Sequence, residues 1–146
     1  MFVLILLSTF TLLSHQQLDP TEVAHVLPGQ VIIKQVQTTE VSELAKNLII
    51  AHATVETMQD VRNLFEDPTL VYSCDDQFFV KKHSDIFEYF EKAPPTTKIF
   101  TILDAHFLDD EKILFRLKED GDQHTYSLWA RKNEHGEYLI YGERCN

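Results

Sequence analysis

Cysteine is scarce in this chain of 146 residues: Cys74 and Cys145 are the only two, and no Cys-x-x-Cys occurs. Without closely spaced thiols a dithiol redox centre is excluded. Basic residues are also few, 13 Lys and Arg against 23 Asp and Glu, for a formal net charge of -10. A nucleic-acid backbone or an anionic membrane surface would repel such a chain. The acidity therefore serves solubility or a basic partner. Asn-x-Ser/Thr is absent, so no N-glycan is expected. Seven histidines are present, yet no His-x-His, His-x-x-x-His or Cys/His cluster appears at ligand spacing. No metal site and no cofactor are expected from that pattern. There is no internal repeat and no low-complexity segment. Length, with 44% hydrophobic and 25% charged residues, indicates one globular domain.

What is present begins with an apolar run from Phe2 to Leu13, interrupted only by Ser8, Thr9 and Thr11. Its length suits a signal-peptide core and is short for a bilayer span. The reading is a signal peptide over residues 1–17, with no stable membrane insertion after cleavage and an extracellular destination. Residues 1–17 contain no Asp, Glu, Lys or Arg, so the mature chain keeps its charge. Secretion favours a Cys74–Cys145 disulfide over two free thiols.

Residues 18–37 read as an extended tether, because Pro20, Pro28 and Gly29 prevent a long helix. Within it, Val31-Ile32-Ile33 can lay a short extended piece on the body. The domain proper is expected over residues 38–146. Thr38 and Thr39 supply cap oxygens, and Val41, Leu44, Ala45 and Leu48 recur at helical spacing. Thr54 marks a fresh cap or a kink. Val55, Met58, Val61, Leu64 and Phe65 then carry a second helical stripe to Glu66, where Asp67-Pro68 stops it. Leu70–Cys74 and Phe78–Val80 read as a short hairpin. A third helix follows, capped by Ser84 and ended by Pro94-Pro95.

The remainder is strand material. Lys98–Leu108, Lys112–Glu119, Gln123–Lys132 and Glu137–Arg144 are separated by short acidic or Gly-containing links. Links that short permit only antiparallel pairing, so a four-stranded meander is expected. Helices set apart from a mostly antiparallel sheet define an α+β architecture.

This element order resembles the nuclear transport factor 2-like superfamily over about Thr39 to Cys145. The local features that carry it are the Phe65–Asp67-Pro68 helix exit, the Tyr72–Cys74 strand and the Ser84–Phe90 helix. The resemblance is strongest to small secreted members seen in nematodes, few of which have an assigned activity. It implies a cone, with the N-terminal helices packed in the concave face of a curved sheet and a pocket at the open end. It also brings Cys74 close to Cys145, in agreement with the disulfide. The superfamily holds isomerases, dehydratases and hydrolases that use a cavity acid or His, beside non-catalytic binding and dimerisation modules. No catalytic motif of those enzymes maps onto this chain residue by residue.

Strand phase sorts the candidates. Ile113, Phe115 and Leu117 are expected to face the core, as are Tyr126, Leu128 and Ala130. In the first long strand the more apolar set is Ile99, Leu103, Ala105 and Phe107, which turns Phe100, Ile102, Asp104 and His106 outward. Asp104 and His106 could form an acid–imidazole pair, but outward phase argues against catalysis. Tyr72, Asp75 and Asp76 belong to a turn. His52 reads as a satisfied core histidine, and His83, His124 and His135 as solvated. Trp129, with Thr125, Ser127 and Arg131, falls on the outward face. With Phe100 and Ile102 it could form a homodimer interface.

The favoured reading is a secreted, non-enzymatic module that binds a small apolar ligand or a protein partner. Phe65, Tyr72, Phe79, Phe87, Phe90 and Tyr126 are its candidate pocket residues. The alternative is a small isomerase, dehydratase or hydrolase using a carboxylate or His in the cone pocket. A perturbed acid or His in an open cavity favours the enzyme, and a filled cavity favours the interaction module.

Overall fold

The computed structural model describes residues 30–93 and 97–146. The expected signal peptide over residues 1–17, residues 18–29 of the expected tether and residues 94–96 lie outside the described residues. Among the described residues three helices pack on a seven-stranded mixed sheet, an α+β architecture. The strands are β1 (Val31–Gln35), β2 (Phe65–Tyr72), β3 (Phe78–Lys81), β4 (Lys98–Phe107), β5 (Lys112–Glu119), β6 (Tyr126–Lys132) and β7 (Tyr138–Cys145). The helices are α1 (Glu40–Ala53), α2 (Met58–Leu64) and α3 (His83–Lys92).

The spatial order is β1-β4-β5-β6-β7-β2-β3. β4 to β7 form the expected antiparallel meander, and the short links fix that sense. β1 and β2 are added in parallel at its two sides, against β4 and β7. Each returns through helical chain, as a parallel addition requires. Among the described residues no helix is long and apolar enough to cross a membrane.

Local chemistry sets the helix ends. Thr39 accepts from the Ser42 N–H at 3.2 Å while Ser42 Oγ accepts from the Thr39 N–H at 2.7 Å, a reciprocal cap. Ser42 Oγ also donates to Gln35 Oε1, which ties the end of β1 to the start of α1. Thr54 is not a fresh cap: it closes α1, its hydroxyl donating to the Ile50 carbonyl. The second cap is Thr57, boxed by Asp60.

α2 stops at Leu64, before the expected Glu66, because Phe65 is extended and opposite Ile140 on β7. Pairing with the sheet begins before proline can act. Pro68 falls inside the register break between Phe65 and Leu70, where its missing N–H costs no ladder bond. For α3 the cap position is Lys82 rather than Ser84, and Asp85 accepts from the Lys82 N–H at 2.9 Å.

Val41, Ala45, Leu48 and Ile49 of α1 meet Val61, Leu64 and Ile86 and the inner face of the sheet. Ile113, Phe115, Leu117, Leu128 and Ala130 are buried there, in the expected phase. Phe100 and Ile102 are also buried, at 6% and 1% exposure. Their outward assignment is therefore corrected. The register of β4 shifts between Ile102 and Asp104, leaving Leu103 as an extra residue. Such a bulge inverts the inside–outside alternation along the strand. Asp104, beyond it, pairs with Arg116 on the outer face.

A disulfide joins Cys74, in the β2–β3 turn, to Cys145 at the end of β7, with Cα atoms 4.8 Å apart. It staples the hairpin to the meander, and such a bond fits an oxidising compartment.

Candidate functional site

The cavity lies between the helices and the inner face of the sheet and has two lobes. One lobe, about 110 Å³, is bounded by α1 and the β5–β7 face, including Leu48, Leu117, Tyr126 and Leu128. The other, about 260 Å³, lies between α3 and β2, against Phe65, Thr69, Val71 and Phe90. His52, Tyr89 and Glu143 line both lobes. These three polar side chains are thus held at the junction of the lobes, with Lys98 and Glu119 in the smaller lobe and Lys81 and Asp85 in the larger.

Each arrives there for a local reason. His52 is the last inward position of the α1 stripe, and its ring packs at 5.8 Å from Phe65 and 5.0 Å from Phe90. Burial and the positive charge of Lys98 lower its pKa to about 4, so the imidazole is neutral at pH 7. It forms no hydrogen bond among the described residues, which corrects the expectation of a satisfied core histidine. Tyr89 extends from α3 over the opening and stays largely exposed. Burial, then the charges of Glu143 and Glu119, raise the pKa of its phenol.

Glu143 is the least expected member. Leu128 pairs with Glu143 and Ala130 with Ile140, while the register shift leaves Tyr141 as an extra residue on β7. This bulge puts Glu143 on the same inner face as Ile140, three residues away, where strict alternation would place it outside. Burial raises its pKa, and its carboxylate has no hydrogen bond or ion pair among the described residues. A carboxylate so placed is short of a partner. Lys98 and Glu119 complete the charged lining of the smaller lobe. Tyr126 donates to Asp122 at 2.5 Å, with burial and that bond raising its pKa.

Of the aromatic residues picked out in the sequence, Phe65 and Phe90 line the larger lobe and Tyr126 the smaller. Phe87 packs against the core without lining either. Tyr72 and Phe79 lie outside, 42% and 37% exposed on the hairpin, with Tyr72 stacked on Phe78.

The Asp104–His106 pair sits on the outer face, 3.8 Å apart, with Asp104 clasped by Arg116. That guanidinium holds the Asp104 pKa below its ordinary value. Trp129 also faces outward, but half-buried: its ring lies against Gly142, where an added Cβ would come within 3.5 Å. Arg131 is engaged by Glu66 at 2.6 and 2.7 Å. Phe100 and Ile102 cannot join this patch, since they face the core.

His83 is not solvated, because its Nε2 donates to the Phe65 carbonyl at 2.7 Å. His124 comes within 4.8 Å of both cysteine sulfurs. The disulfide leaves neither sulfur as a thiolate, so this trio is not a ligand set in the oxidised protein.

No family model matches the chain, and no curated protein matches it. Solved structures do. An NTF-2-like protein of unknown function from Silicibacter pomeroyi superposes with a TM-score of 0.54 at 11% identity, covering 72% of this chain and 90% of that one. A ketosteroid isomerase-like protein from Erwinia carotovora atroseptica gives 0.55 at 12% identity, covering 74% and 96%. An NTF2-like protein from Cytophaga hutchinsonii gives 0.51 at 10%, covering 75% and 98%. At these identities the likeness speaks for architecture alone. The chain has the nuclear transport factor 2-like fold.

Proposed function

We propose that this is a secreted small-molecule-binding protein. Its occupant is an apolar compound that presents a hydrogen-bond donor or a positive charge to Glu143. The observation that carries this reading is the unpartnered Glu143 carboxylate at the junction of the two lobes. Apolar walls supply affinity and a few convergent polar groups set orientation, the usual division in ligand sites. Native mass spectrometry of protein secreted from eukaryotic cells is expected to show retained mass. Glu143→Gln keeps the shape but removes the charge, and is expected to weaken retention about tenfold or more. Equal retention by both proteins would discard Glu143 as the anchor.

A second reading has its own support. The cavity is open, and it holds a carboxylate with raised proton affinity beside a neutral imidazole. This is the combination that favours proton-transfer chemistry over a passive module. One of the structural neighbours is described as ketosteroid isomerase-like. In this reading Glu143 takes or gives the proton, and Tyr89 or His52 donates to the developing oxyanion. Turnover of a carbonyl compound that disappears in Glu143→Gln, with binding retained, would decide for it.

A further inference from the structure

Each polar group that lines both lobes can accept a hydrogen bond, and this restricts what can fill the junction. The ionised Glu143 carboxylate only accepts, the neutral His52 ring keeps one nitrogen lone pair free, and the Tyr89 phenol oxygen accepts as well as donates. Among the described residues none of the three has a hydrogen-bond or ion-pair partner; burial and more distant charges alone act on them. Three acceptors on three different elements therefore converge without a donor.

The charges of the lining select among donors. Lys98 shares the smaller lobe with Glu119, and Lys81 shares the larger with Asp85. Lys81 Nζ also lies 4.9 Å from the centre of the Phe79 ring. Each lysine thus has an acid in its own lobe, and Glu143 is the charge left over. Burial raises its pKa with no nearby cation to offset the cost, and a positive group beside it would reverse that shift. An anionic occupant would add to the uncompensated charge, and a neutral alcohol brings one O–H and no charge at all. A primary ammonium ion brings three N–H donors and one positive charge, which matches three acceptors and one unpaired carboxylate.

The rings at the junction favour the same ion. Phe90 stands 5.0 Å from His52, 5.5 Å from Tyr89 and 6.2 Å from Phe65, so four rings form a continuous wall. Aromatic faces attract cations, more strongly where water is excluded. A bare metal ion fits less well, because among the described residues no third His, Cys, Asp or Glu clusters with Glu143 and His52. The net charge of -10 draws cations toward the chain as a whole.

We propose that the junction is an ammonium site: the occupant is a primary amine whose cationic nitrogen donates to Glu143, His52 and Tyr89, while its apolar part fills the larger lobe. That lobe, about 260 Å³, accommodates an aryl group. The inference rests on the reading of the cavity as a small-molecule site and narrows it from any hydrogen-bond donor to one kind of ion.

Titration of the full secreted chain with phenethylamine, phenethyl alcohol and phenylacetate at pH 7 tests it, since the three share a ring and differ in charge. Phenethylamine is expected to bind about tenfold or more tighter than the alcohol, and phenylacetate weakest of all. Glu143→Gln keeps the shape and an acceptor but removes the charge. It is expected to weaken the amine about tenfold and to leave the alcohol nearly as before. His52→Phe keeps the ring wall, removes the second acceptor and is expected to weaken the amine more than the alcohol. Should Glu143→Gln not fold, the ratio of amine to alcohol in the wild-type protein decides. Equal binding of alcohol and amine would overturn the ammonium site and leave the small-molecule reading standing. An amine preference that survives in Glu143→Gln would overturn it as well. So would binding of none of the three up to about 10 mM, the range for fragments of this size. Retained mass on the secreted protein would then show that the cavity still holds a ligand of another class.

Discussion

Replacing Cys74 and Cys145 together by serine is expected to lower stability by about 4 kcal/mol, the chain-entropy value for a loop of this size. The bridge spans a sequence separation of 71 residues, so the unfolded chain regains much freedom when it is removed. The folded state also depends on it at a particular place. β2 meets β7 at Phe65 and again only from Leu70 onward, and the bridge pins the far end of that interrupted ladder. Its loss should loosen the β2–β3 hairpin and with it the wall of the larger lobe, before the meander yields. Urea unfolding of the oxidised protein and the double variant measures the effect. Coincident midpoints would show that the bridge adds nothing to the fold.

The second large effect is a pH dependence centred on His52. Its pKa falls from 6.5 to about 4 on folding. The unfolded chain therefore gains a proton near pH 6.5 that the folded protein refuses until about pH 4. Stability is expected to fall as pH drops through that window and to level off below it. The size is about 2–3 kcal/mol once the ring's residual exposure is allowed for. Glu143 acts in the opposite sense. Its folded pKa is raised, so the folded protein binds that proton first and gains stability as pH falls toward 4.5. His52→Phe fits the aromatic setting of Phe65 and Phe90 and removes only the first contribution. Chemical denaturation from pH 7 to pH 4 should show the variant gaining stability relative to the wild-type protein as pH falls. An unchanged difference between the two proteins across the window would mean that His52 protonates freely in the folded state.

Much of this fold is legible in the sequence, because polar turns and alternation are local signals. The meander strands fall within three residues of their expected ends, and the inward phase of β5 and β6 follows directly from Ile113-x-Phe115-x-Leu117 and Leu128-x-Ala130. The first helical cap at Thr39 is equally plain. What escapes is the consequence of one added residue. Leu103 on β4 and Tyr141 on β7 each break the count; Leu103 has no glycine or proline beside it, whereas Gly142 next to Tyr141 is a bulge signal that the alternation pattern alone does not use. The first hid the burial of Phe100 and Ile102, and the second hid Glu143. His52 was visible as a member of the α1 stripe, but its surroundings depend on α3 and β2, which lie far along the chain. The end of α2 escaped for a similar reason, since Phe65 is claimed by Ile140 across the sheet.

The bulge at Tyr141 means that the chemical character of this chamber is encoded as a length rather than as a letter. Substitutions at Tyr141 or Gly142 leave Glu143 aimed inward so long as the count is kept. Loss or gain of a single residue between Ile140 and Glu143 would turn the acid out to solvent and leave His52 and Tyr89 at the junction without it, with the fold otherwise intact. Kinship of function among proteins of this shape is then better sought in the spacing along the last strand than in the identity of its residues.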